Sequence, residues 1–226
     1  MKRITLFAGH YGSGKTNIAL NYARYLKKTA PRVIVADLDI VNPYFRTKDS
    51  AAELAREGIE LVVSEFANSN VDFPALPKDL YRVFAEGESP YVIADIGGDD
   101  RGALALGRYA PDILAGEDWE YLAVVNAARP LTRTVADTVE TLREIEAASS
   151  GLRFTGIVNN TNLGPDTTAA TVLDSLPYAE GVAAALGVPL RFTSVRADLA
   201  SVVAASAPPG APIFPLSLQN LYYQLA

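Results

Sequence analysis

Eight residues near the N-terminus, Gly9-His10-Tyr11-Gly12-Ser13-Gly14-Lys15-Thr16, constrain the fold more than any other part of the chain. A short apolar run, residues 3–8, precedes them, and a helical stretch, residues 15–28, follows. The spacing is that of G-x-x-x-x-G-K-[ST], which in a strand–turn–helix setting wraps main-chain N–H groups around a phosphate. Glycine is required because side chains would clash with an anion drawn in so closely. The helix opening at Lys15 aims its N-terminal partial charge at the same anion. Lys15 is expected to reach the β- and γ-phosphates, and the Thr16 hydroxyl to ligate Mg²⁺. Nucleotide contacts are thus expected from Gly9, His10, Tyr11, Gly12, Ser13, Gly14, Lys15, Thr16 and Asn17. A chance glycine-rich turn is the alternative, and the flanking strand and helix argue against it.

The rest of the chain alternates short β-branched runs with longer amphipathic stretches. Strands are expected at residues 3–8, 32–36, 59–63, 91–94, 121–125, 154–158 and 188–192. Their near-continuous apolar character marks strands covered on both faces, as in parallel sheets. Helices are expected at residues 15–28 and at 134–148, where Val135, Val139, Leu142 and Ile145 share one face. Residues 167–186 read as two helical pieces broken at Pro177, and residues 207–212 as a turn-rich joint before a short C-terminal helix. This alternation predicts an α/β fold: three layers around a doubly wound, mostly parallel sheet with right-handed crossovers. No repeat or linker divides the chain, so residues 1–226 are read as a single nucleotide-binding domain.

Composition narrows the function. With 49% hydrophobic and 20% charged residues, the chain is not of disordered type. A net charge of −6 and a pI near 4.9 disfavour nucleic acid and anionic lipid as partners. The absence of cysteine excludes disulfides, thiolate metal sites and cysteine nucleophiles. The N-terminal apolar run is too short for a signal peptide and leads straight into the glycine-rich loop, so a cytoplasmic protein is expected. No stretch approaches the roughly 18 apolar residues of a membrane span.

Two acidic sites stand where a nucleotide enzyme needs them. Asp95 ends the run Tyr91-Val92-Ile93-Ala94, at the strand end that faces the ligand crevice of an open α/β sheet. It is expected to hold Mg²⁺ directly or through water. Gly98 completes Asp-x-x-Gly, whose last amide can sense a γ-phosphate. A plain turn after a strand is the other reading. Asp37 and Asp39, in Ala36-Asp37-Leu38-Asp39, point the same way if the backbone stays extended. One is expected to anchor the Mg²⁺ water shell and the other to orient or deprotonate the attacking water, Asp39 being preferred for the water. A helix cap with a solvated turn acid remains open.

These motifs, in this order, resemble the MinD/ParA-like branch of P-loop ATPases (the CobQ/CobB/MinD/ParA nucleotide-binding group, of SIMIBI-like fold). The resemblance covers most of the chain and is loose after Val125. It implies Mg²⁺-dependent ATP binding, slow hydrolysis with ADP as product, a homodimer with ATP at its interface, and positioning of a client protein. It also implies that Lys15 and Asp39 carry the catalysis, that Asp37, Asp95 and Thr16 serve the metal, and that Gly98 belongs to a second switch. One departure is plain. Where that family carries a second lysine in the loop, this chain has His10, its single histidine. A neutral imidazole donates one hydrogen bond and brings no dependable positive charge near neutral pH. A tolerated residue at a variable loop position is the alternative for His10.

Base identity is read from Asn159-Asn160-Thr161-Asn162, after a strand. Guanine readers of this fold class place Asn-Lys-x-Asp there, and the carboxylate accepts two guanine N–H groups. An amide cannot do so as well, so adenine, read through Asn159 or Asn160, is expected. These asparagines can equally build the loop. Arg129 follows a strand and reads equally as a nucleotide or partner contact and as surface loop. Tyr222 and Tyr223, on the short terminal helix, are expected to pack rather than to bind lipid. A kinase or ligase acting on a small molecule, its pocket lined by Asp72, Arg46 and Arg129, is the main alternative to a switch ATPase. A metal-insertion GTPase and a binding module without turnover are weaker readings.

Overall fold

The computed structural model describes residues 1–39, 51–63, 84, 90–98 and 106–218. Among them eight strands form one sheet: β1 (Ile4–Ala8), β2 (Val33–Leu38), β3 (Glu60–Val63), β4 (Tyr91–Ile96), β5 (Trp119–Val125), β6 (Gly156–Asn159), β7 (Leu190–Arg196) and β8 (Ile213–Leu216). Their spatial order is β3-β2-β4-β1-β5-β6-β7-β8. Every pairing is parallel, so the carboxyl ends of all the strands lie along one edge. The described helices are α1 (Lys15–Lys27), α2 (Ala51–Arg56), α3 (Ala110–Ala115), α4 (Val135–Ala148), α5 (Ala169–Leu173), α6 (Leu176–Leu186) and α7 (Ala200–Ser206).

The continuous apolar runs have the meaning expected of them. β1, β2 and β6 are buried at every position. Successive residues of β1 face opposite cores. Ile4, Leu6 and Ala8 join Tyr109, Ile113, Leu142, Ile145 and Val182 on one side. Phe7 joins Ile18, Leu20 and Leu26 of α1 on the other. The sheet is therefore sandwiched between helical layers, which is the three-layer, doubly wound arrangement. β3, at one edge, is only partly buried.

Several local details differ from expectation. β7 runs to Arg196, four residues beyond its expected end, and carries the wall of the site with it. The break between α5 and α6 falls at Asp174–Ser175, before Pro177. Pro177 lies in the first turn of α6, where a missing N–H costs nothing. Strand β8 occupies residues expected to follow a joint and lead into a helix. Glu140 and Glu144 are exposed, and Glu146 accepts the Phe154 amide at 2.7 Å. Among the described residues no helix is long and apolar enough to cross a membrane. Arg46, Asp72, and Tyr222 with Tyr223 lie outside the described residues.

Candidate functional site

Three neighbouring strands converge on the loop of residues 9–14. β4 pairs with β1 and β2 so that Asp95 lies beside both Phe7 and Asp37. The loop leaves β1, turns through glycines with positive φ, and enters α1 from Gly14, whose left-handed φ of 91° an L-residue resists. A Cβ at Gly9 would collide with the Val124 carbonyl, and one at Gly14 with the Asn160 side-chain amide. The amide end of α1 has no side-chain cap and no acidic residue in its first turn. Its orphan N–H groups and partial positive charge face the loop unopposed.

Charged groups gather at this point although the chain as a whole is acidic. Lys15 is buried (6% exposed), and its Nζ donates to the His10 carbonyl at 3.4 Å. The Thr16 hydroxyl donates to Asp95 Oδ2 at 2.5 Å, joining the first turn of α1 to the end of β4. Gly98 packs against the loop: a Cβ there would lie 2.8 Å from the Tyr11 amide nitrogen and 2.9 Å from Lys15 Nζ. Lys15, Thr16, Asp95 and Gly98, far apart in sequence, thus meet in one place. Ser13 Oγ is buried at the same loop and has no hydrogen-bond partner among the described residues.

Asp37 and Asp39 are not two carboxylates side by side on extended backbone. β2 ends at Leu38, and the Asp39 amide donates to Asp37 Oδ1 at 3.0 Å. The Asp37 carboxylate is buried at 4% exposure, whereas Asp39 is half-buried at the start of the outgoing loop. His10 is half-buried, and burial together with the nearby Lys15 ammonium lowers its pKa below the usual 6.5. The imidazole is therefore neutral at pH 7. Tyr11 is 58% exposed.

The asparagine run serves the protein's own framework. Asn159 is fully buried; its Nδ2 donates to Ser175 Oγ, and its Oδ1 accepts from the amide and hydroxyl of Thr161. This differs from the expected contact with a base, because no edge of that amide reaches solvent. Asn160 donates from Nδ2 to the Ser13 carbonyl at 2.7 Å and accepts from Ser194 Oγ at 2.6 Å. It holds the phosphate-type loop rather than reading a base with that amide. Asn162 is engaged as well, with Asn160 O and the Gly164 amide.

Beside the loop opens a cleft of about 380 Å³. Gly12, Thr16 and Asn17 form one side, Asn162 and Arg196 another, and Leu216, from the unexpected β8, a third. Arg129, exposed on the loop after β5, lies over Gly12 at the cleft's edge. Local sequence pattern carries no signal for Ser194 or Leu216 as parts of this region, because only the sheet order brings them to α1. Among the described residues no group of three or more His, Cys, Asp or Glu is placed to hold a metal unaided. A hydroxyl–carboxylate pair such as Thr16 and Asp95 instead suits an ion that takes its remaining ligands from water and phosphate.

No protein-family model matches the chain, and no curated protein matches it. Solved structures do. Chloroplast FtsY from Physcomitrella patens is 19% identical with a TM-score of 0.57, over 85% of this chain and 58% of that one. The signal recognition particle receptor FtsY from Elizabethkingia anophelis in complex with GDP is 17% identical with a TM-score of 0.52, over 86% and 58%. The signal recognition particle 54 kDa protein from Aeropyrum pernix K1 in complex with GDP gives 15% and 0.52, over 84% and 40%. The fold is that of a P-loop NTPase. This chain spans from two fifths to under three fifths of the length of those proteins. Within the P-loop NTPase frame, the Gly9–Thr16 loop, Asp95 and the cleft occupy the carboxyl edge of the sheet, where open α/β folds bind ligands.

Proposed function

We propose that this protein binds Mg²⁺–ATP in the loop of residues 9–16 and hydrolyses it slowly, as a cytoplasmic nucleotide-driven switch that acts on a partner protein. The meeting of Lys15, Thr16, Asp95 and Gly98 around an uncapped helix N-terminus carries this reading. Main-chain amides and Lys15 would grip the β- and γ-phosphates, with Thr16, Asp95 and Asp37 holding the metal. A bound Mg²⁺ neutralises charge that builds on the phosphate oxygens. Asp39 orients the attacking water or takes its proton, and Lys15 and the loop amides stabilise the charge that develops. Gly98, packed on the loop, senses whether a γ-phosphate is present and passes the difference to the chain beyond it. We place the chain with the MinD/ParA-like ATPases on its Asp37-x-Asp39 and Asp95-x-x-Gly98 pairs, and infer a homodimer in the ATP state.

Adenine is favoured because residues 159–162 contain no carboxylate and the three asparagines are occupied within the protein. No side chain of that run is left to accept both guanine N–H groups. A guanine nucleotide is the second reading, favoured by the GDP in two structures of similar fold. Competition between ATP and GTP for the purified protein separates the two. The switch reading itself is tested with two variants. Lys15→Ala is expected to abolish ATP binding in a calorimeter, whereas Asp39→Ala binds normally and loses most phosphate release. Normal turnover in Asp39→Ala removes Asp39 from the chemistry.

A further inference from the structure

We propose that Arg129 is a second phosphate-binding cation, supplied to the nucleotide from the loop between β5 and α4 of the same chain. The proposal rests on the reading of residues 9–16 as a nucleotide cradle. A Cβ built on Gly12 would stand 3.5 Å from Arg129 Nε and 3.7 Å from its Cζ, so the guanidinium lies beside the loop, about one side-chain carbon's reach from Gly12. Both residues line the same cleft.

The loop that carries Arg129 is firmly tied. The Arg129 amide donates to Asn126 O at 3.2 Å, and the Thr132 amide donates to Arg129 O at 3.1 Å. Thr132 Oγ1 also donates to Asn126 O, at 2.9 Å. The Ala128 amide donates to Asn126 Oδ1 at 2.9 Å, and the Ala127 amide to Thr161 Oγ1 at 3.1 Å. A loop tied in this way fixes where the Arg129 side chain starts, so the backbone there adds no ordering cost on binding.

Its charge is uncommitted. Arg129 forms no ion pair and no side-chain hydrogen bond with any described residue. Arg196, the other arginine lining the cleft, is locked to Asp198 at 2.6 and 2.9 Å and donates to Pro165 O. In a chain of net charge −6, a guanidinium beside a glycine of an anion loop, with no carboxylate partner among the described residues, is complementary to phosphate oxygens. Its planar fork of donors can bind two of them in parallel, a geometry the Lys15 ammonium lacks.

The test is calorimetric titration of Mg²⁺–ATP into wild type, Arg129→Ala and Arg129→Lys at low and high salt, with unfolding temperatures of the nucleotide-free proteins measured alongside. The expected result is an Arg129→Ala protein with unchanged unfolding temperature and ATP affinity lower by about tenfold or more. Its binding also loses part of the wild-type salt sensitivity, and Arg129→Lys falls between the two. Unchanged affinity in Arg129→Ala overturns the proposal, and so does a loss matched by a fall in unfolding temperature. A wild-type protein that binds no nucleotide would instead overturn the reading of the cradle.

Discussion

Asn160 grips the phosphate loop from outside: one side-chain amide joins Ser13 in the loop to Ser194 on β7. Asn160→Ala would strand the buried Ser13 carbonyl and leave Ser194 Oγ with the Asn159 carbonyl alone, and is expected to lower stability by about 1–3 kcal/mol in urea unfolding. Asn160→Asp replaces the donor facing the Ser13 carbonyl with an acceptor and should be worse than Ala. Gly98 offers a sharper probe of the chemistry. Alanine there places a carbon 2.8 Å from the Tyr11 nitrogen, and main chain cannot swing aside as the Lys15 tip can. Gly98→Ala is expected to slow hydrolysis by on the order of a hundredfold while the sheet still folds, because small misplacements at a reacting group are costly. His10 gives a pH signature. Its folded pKa lies below 6.5, so the unfolded chain binds more protons as pH falls through 6.5, and this group then favours unfolding. Unfolding midpoints of wild type and His10→Gln should therefore diverge between pH 7 and 5.5, wild type losing more.

At the scale of elements, the end of the sheet away from the cleft is joined by a buried carboxylate. Glu120 on β5 accepts from Thr5 of β1 at 3.1 Å, from Tyr22 of α1 at 3.3 Å and from Arg191 of β7 at 2.8 Å. Burial and the Glu120 charge push the Tyr22 phenol well above its usual pKa, so it remains a donor. Arg191 reaches Glu120 only by crossing β6 at Gly156, where a Cβ would fall on the arginine stem. Gly156→Ala is expected to displace Arg191 and destabilise the fold by about 1–3 kcal/mol. Adding it to Arg191→Ala should cost little more, since both remove one contact; a double-mutant cycle by urea unfolding checks this. β8 illustrates what a sequence hides at this scale. Pro215 at its centre lacks the N–H of a ladder residue, and so reads as a strand breaker. Among the described residues β8 pairs only with β7, at the edge of the sheet, where proline is tolerated. The helices at Ala51–Arg56, Ala110–Ala115 and Ala200–Ser206 are too short for a helical period to stand out.

For the molecule as a whole, legibility followed locality. The loop of residues 9–16, the strand-end position of Asp95 and the doubly wound sheet could be read from neighbouring residues, because strand, turn and helix signals there are contiguous. The framework role of Asn159 and Asn160 is one of the two readings their run leaves open, whereas Arg129 beside Gly12 and the β8 wall depend on residues up to about two hundred positions apart meeting at one sheet edge, and no local pattern announces that. The central claim is that this edge grips a nucleoside triphosphate. Calorimetric titration of ATP into the wild-type protein, with Mg²⁺ and then with the metal chelated, tests it most directly. The account predicts saturable one-to-one binding that weakens markedly on chelation and vanishes in Lys15→Ala. No detectable heat with either ATP or GTP, or equal affinity in Lys15→Ala, would contradict it.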